Sequence, residues 1–143
     1  MELRRFFGLL VAGVILALPT VAAGWYLLTI PYNQNPQERI DQDLLVGTTA
    51  ALASGLACAL LLRNGFGSDQ AWKRALCGLV SAVMICFLAV LAIGLLPTVY
   101  GPANPLTAGS LAIFTAAILA PFLGPIGIVT GLLLRPLVTS GSR

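Results

Sequence analysis

The 143-residue chain is 58% hydrophobic and only 9% charged, a balance that cannot cover an apolar core with a polar shell and so excludes an ordinary water-soluble domain. Its net charge of +3 reads as a topological signal, not as a nucleic-acid footprint. Lipid is the expected solvent, and charge is confined to match: residues 6–37, 44–62 and 75–134 contain no Asp, Glu, Lys or Arg.

A helix needs about 20 apolar residues to cross the hydrocarbon core. The first two charge-free stretches hold one span each, at about 6–30 and 43–62. The first begins after Arg4 and Arg5 and ends near Val21-Ala22-Ala23, in the manner of a secretory signal, but its apolar run continues through Gly24-Trp25-Tyr26-Leu27-Leu28-Thr29-Ile30. An uncleaved first helix is expected. Residues 31–42 follow as the largest polar segment, with turns at Pro31–Pro36 and a short interfacial helix at Gln37–Gln42. Asp43 reads as a cap for span two.

After span two, Asn64-Gly65-Phe66-Gly67-Ser68-Asp69 pairs a glycine-rich stop with a Ser/Asp N-cap for span three. The long stretch from residue 75 divides at residues 95–105, where three prolines and a glycine cannot continue a helix. Spans three and four are placed at about 71–96 and 105–134. Span four carries Pro121 and Pro125 in mid-run, which withdraw hydrogen bonds from the carbonyls of Ala117 and Pro121 and predict a kink or break over Pro121–Gly127. Pro121, Gly124, Pro125 and Gly127 are the candidates for a kink or a pathway.

The fold class expected is an all-α integral membrane protein: a four-transmembrane-helix bundle forming a single polytopic domain over 1–143. Arg4, Arg5, Arg63, Lys73, Arg74, Arg135 and Arg143 fall on one side and only Arg39 on the other, so both termini are expected in the cytoplasm, with the chain in a bacterial inner membrane. Trp25, Tyr26, Tyr32 and Tyr100 then sit at the outer interface and Trp72 at the inner one. Arg63, Lys73, Arg74 and Arg135 are candidates for headgroup contact.

Small residues recur where helices must approach closely. Gly47, Ala51, Gly55 and Ala59 form one stripe on span two, beside a second of Ala50, Ser54 and Cys58. Gly78, Ala82 and Cys86 mark span three, and Ala112, Ala116, Ala120 and Gly124 mark span four. The pattern specifies tight packing without saying whether the partner is the same chain or another subunit.

Much familiar chemistry has no residues to carry it. The chain has no His, which removes the usual haem and metal ligand. No span holds Asp, Glu, Asn or Gln in its central part, where a proton relay would need one. Cys58, Cys77 and Cys86 are odd in number, lack C-x-x-C spacing and read as packing residues. Intramembrane Ser and Thr are expected to bond back to their own helix. Only Glu38, Asp41 and Asp43 offer paired carboxylates, in the polar loop. No enzyme, cofactor or metal is therefore expected. The sequence favours a non-catalytic accessory or assembly subunit of a larger membrane complex, its partners being membrane lipids and other integral membrane subunits. The alternative is a small homo-oligomeric channel or transporter with span four lining its pathway.

Overall fold

The computed structural model describes residues 3–29, 37–96 and 104–139, and among these every regular element is a helix. Four helices are long and apolar enough to span a membrane: α1 (Leu3–Thr29), α2 (Gln37–Leu61), α4 (Ala71–Gly94) and α5 (Pro105–Leu133). Two short helices, α3 (Arg63–Phe66) and α6 (Arg135–Thr139), sit at one end. The chain is a multi-pass membrane protein. The turns expected at Pro31–Pro36, Tyr32, Tyr100 and Arg143 lie outside the described residues, as does most of the segment dividing spans three and four.

The helix boundaries follow from local chemistry. The Asn104 side chain accepts the Leu106 N–H at 3.0 Å and Pro105 occupies the first turn, so α5 starts where a missing N–H costs nothing. It ends before Arg135-Pro136, since proline cannot donate back to a helical carbonyl. Two expectations are corrected. The segment Gln37–Gln42 is not a separate interfacial helix but the first turns of α2, so Asp43 lies inside the helix and does not cap it. The N-cap of α4 is Gln70 without a side-chain bond, because Ser68 Oγ accepts the Gln70 N–H at 3.2 Å while Asp69 is drawn to Arg135.

Lipid gives helices no hydrophobic reason to associate, so they cohere where backbones come close enough for dense van der Waals contact. The most extensive contact joins α4 to α5, followed by α1 to α2 and then α2 to α4. At the α1–α2 crossing, a methyl added to Gly13 would stand 2.7 Å from Leu56 Cα, and Gly55 faces the Gly13 carbonyl and Ala17. At the α4–α5 crossing, Gly78 meets Gly127 and Gly131 backbone to backbone. Gly94 faces Ala108 further along the same interface, where an added Cβ would be 3.0 Å from that of Ala108. Ala12, Leu16, Ala17, Ala51, Ala59, Ile85 and Ala89 form the shared core of α1, α2 and α4. Phe66 and Leu134, both buried, continue that core into the end where α3 and α6 lie.

Candidate functional site

The predicted packing stripes face inward. Ala51, Gly55 and Ala59 are buried, and Gly47 abuts Ile93 of α4, which a Cβ at that position would meet at 2.8 Å. Gly78, Ala82 and Cys86 are buried against α5 or in the second core cluster with Leu123. Ala112 and Ala116 are buried and Ala120 is half-buried. The stripes named from the sequence leave out Gly13, Gly131 and Gly94, which also meet small or backbone groups. A signal was present for two of them, since Gly127-x-x-x-Gly131 and Gly13-x-x-x-Ala17 carry the small-residue spacing that lets helices approach, whereas Gly94 stands four residues from Val90.

In span four, Pro121 and Pro125 are exposed on the outside of the bundle, while Gly124 and Gly127 are buried against α4. Both prolines lie inside the single helix α5. The segment contributes only Leu123 to the cleft described next.

That cleft opens between α1, α2, α4 and α5 at the end opposite α3 and α6, and encloses about 490 Å³. Its walls are mostly apolar, with Thr20, Thr48, Thr115 and Asp43 as polar positions. Trp25 Nε1 donates to Thr48 Oγ1 at 3.1 Å across the α1–α2 seam, bringing the indole to its rim. Elsewhere Thr49, Ser54, Ser110 and Thr130 donate to the carbonyls of Leu45, Ala50, Leu106 and Ile126 as expected of helical Ser and Thr, whereas the buried Ser81 hydroxyl makes no such bond. Among the described residues, no group of three or more His, Cys, Asp or Glu is placed to hold a metal ion.

The basic candidates occupy the other end, where three of the four are held within the chain. Arg135 pairs with Asp69, Arg74 donates to the Ser68 carbonyl at 2.8 Å, and Lys73 lies over the Trp72 ring at 5.7 Å. Arg63 instead joins Arg5, which the sequence analysis placed only by side, in a second cleft with Asn64, Gly67 and Thr139.

In comparisons with known proteins, no family model, curated protein or solved structure matches this chain.

Proposed function

We propose that the chain is a non-catalytic accessory or assembly subunit of a larger membrane complex, set in a bacterial inner membrane with both termini in the cytoplasm. The observation that carries this reading is the outer face of α2. Only 22% of its apolar window is buried inside the chain, against 39%, 33% and 28% for α1, α4 and α5. That face bears Thr49, Ala53 and Ala57 at four-residue spacing, all exposed. Thr49 turns its hydroxyl back onto the Leu45 carbonyl at 2.8 Å, leaving its methyl as the outward group. A smooth row on the least covered helix, distinct from the inward row already used by α1 and α4, supports a helix of another subunit lying there. The seven-to-one basic asymmetry supports the orientation, and the two prolines support a kink in α5 that fits its outer surface to a neighbour.

Gentle extraction followed by native mass spectrometry tests the reading. A hetero-complex that is retained by the wild-type chain and lost on Ala53→Trp/Ala57→Trp substitution is the expected result. A complex indifferent to both substitutions removes α2 as its contact, and a pure homo-oligomer overturns the accessory role.

A second reading, a small oligomeric channel or transporter, is favoured by the cleft that gathers Thr20, Thr48, Thr115 and Asp43 from three helices. Its pathway then runs past Thr115 and Leu119, with Pro121 and Pro125 shaping the helix from outside. Thr115→Leu in reconstituted liposomes should lower flux under this reading.

A further inference from the structure

The cleft at the basic end lies between the first turns of α1, the short helix α3 and the short helix α6, and encloses about 970 Å³ with its open mouth. The chain assembles it from three separate segments. Arg5 comes from α1, Arg63 and Asn64 from α3, and Thr139 from α6. Gly67 forms part of the wall with backbone alone, while Leu9 and Val138 supply apolar floor. No carboxylate stands among the described lining residues. Among the described residues of the α3–α4 turn at this end, the one carboxylate, Asp69, is engaged by Arg135. Among the described residues the Arg63 guanidinium has no hydrogen-bond or ion-pair partner.

We infer that this cleft is a binding site for a phosphate-bearing anion, gripped by Arg5 and Arg63. Guanidinium groups present planar forks that match phosphate oxygens two at a time, and an anion placed between two of them gains from both. The Asn64 amide adds a neutral donor of the kind that completes such a cradle, while Thr139, whose hydroxyl donates to the Arg135 carbonyl at 2.8 Å, shapes the wall without donating into it. The site lies where the helices leave their apolar spans, which is the depth of lipid headgroups. The apolar floor of Leu9 and Val138 suits the glycerol and first methylenes behind a headgroup phosphate, whereas free phosphate uses only the polar wall. The site is independent of the α2 face and of the subunit role built on it.

The test uses the full chain purified in neutral detergent free of acidic lipid. Binding of phosphatidylglycerol, of phosphatidylcholine with the same acyl chains, and of inorganic phosphate is followed by native mass spectrometry and by thermal stabilisation. Phosphatidylglycerol should bind more tightly than phosphatidylcholine. Arg5→Gln/Arg63→Gln should weaken it about tenfold or more, as expected for two basic side chains close to an acidic headgroup, while Arg39→Gln, in the first turn of α2 at the opposite end from α3, leaves it nearly unchanged. Gly67→Leu tests the cleft without altering charge: an added Cβ meets Arg63 O at 3.3 Å, which must give by a few tenths of an ångström, and Thr139 Cγ2 at 3.6 Å, and the longer side chain then takes up space in the cleft. It too should weaken binding, and it decides the matter if the arginine variant does not fold. Lipid-only binding assigns the headgroup as source, and equal cleft-dependent stabilisation by inorganic phosphate assigns free phosphate. Equal binding of the two lipids with no cleft-dependent response to phosphate, a loss in Arg39→Gln as large as in the double variant, or a Gly67→Leu protein that binds like wild type would overturn the inference.

Discussion

Gly78 of α4 and Gly127 of α5 face each other through their backbones, and neither position has room for a β-carbon: at Gly127 it would lie 2.6 Å from the Gly78 carbonyl oxygen and 2.7 Å from Ala82 Cβ. Gly131 closes the same crossing one turn later against Gly78 and the Arg74 carbonyl. The obstacle at each of the three is main chain, which cannot swing aside as a side-chain tip can.

Enlarging this crossing should therefore force α4 and α5 apart. Overpacking a close-packed site costs about 1–3 kcal/mol, and Gly78→Val or Gly127→Leu should reach or exceed the top of that range because backbone must move. Gly109→Ala, on the same helix with nothing within 4 Å of the added methyl, should be neutral or stabilising by up to about 1 kcal/mol through helix propensity. Thermal unfolding in detergent compares the three. A Gly109→Ala protein as unstable as Gly127→Leu would show that the loss is not one of crossing geometry.

Beyond this crossing, at the same end of the bundle, burial and charge make opposite demands. Phe66 is fully buried in the one-turn helix α3, so Phe66→Ala should destabilise by about 3–5 kcal/mol. The neighbouring Asp69–Arg135 pair is exposed, at 88% and 46% of its side-chain surfaces, and exposed pairs contribute at most about 1 kcal/mol. A double-mutant cycle over Asp69→Asn and Arg135→Gln should return a coupling in that small range, lower still at high salt.

These contrasts mark what the sequence could and could not convey. Four spans were legible because charge-free runs of helical length have few solutions in lipid. The inward stripes were legible as faces, since a four-residue repeat of Gly and Ala places its members on one side of a helix. Their partners were not, because spacing such as Gly13-x-x-x-Ala17 opposite Gly55, or Gly127-x-x-x-Gly131 opposite Gly78, does not say which helices become neighbours. The Gln37–Gln42 segment looked separate from span two because its polarity differs, yet polarity does not end a helix and no proline or glycine stands between them. The basic end was least legible. Arg63, Lys73, Arg74 and Arg135 share a side, but the turn at Ser68–Asp69 draws two of them inward and α3 turns a third toward Arg5.

The Trp25–Thr48 hydrogen bond ties α1 to α2 at the rim of the apolar cleft. Thr48→Val keeps the shape and removes the acceptor, so it should cost about 1 kcal/mol, the usual net worth of one hydrogen bond. Trp72 lies at the opposite end, which allows Trp25 to be followed alone in a Trp72→Phe background. Indole emission should shift on Thr48→Val and stay unchanged on Thr130→Val, whose hydroxyl bonds only within its own helix at Ile126.

Ala51 and Ala53 stand two residues apart on α2 and face opposite ways: Ala51 is 1% exposed in the core shared with α1 and α4, while Ala53 belongs to the outward row. Ala51→Trp should abolish the folded bundle, since an indole has no space beside Gly55 and the α1 backbone. Ala53→Trp should leave the unfolding free energy of the isolated chain within about 0.5 kcal/mol of wild type, as surface substitutions do, because its side chain projects into lipid. Any association made through α2 should be lost in both, with Ala53→Trp removing the partner from a chain that is otherwise intact and Ala51→Trp removing it only by unfolding. Measuring unfolding and complex retention on the same two variants separates the helix face that builds this protein from the face proposed to receive another. Should Ala53→Trp instead unfold the chain, the outward row would have to be part of the monomer's own core, and the subunit role drawn from it would fall with it.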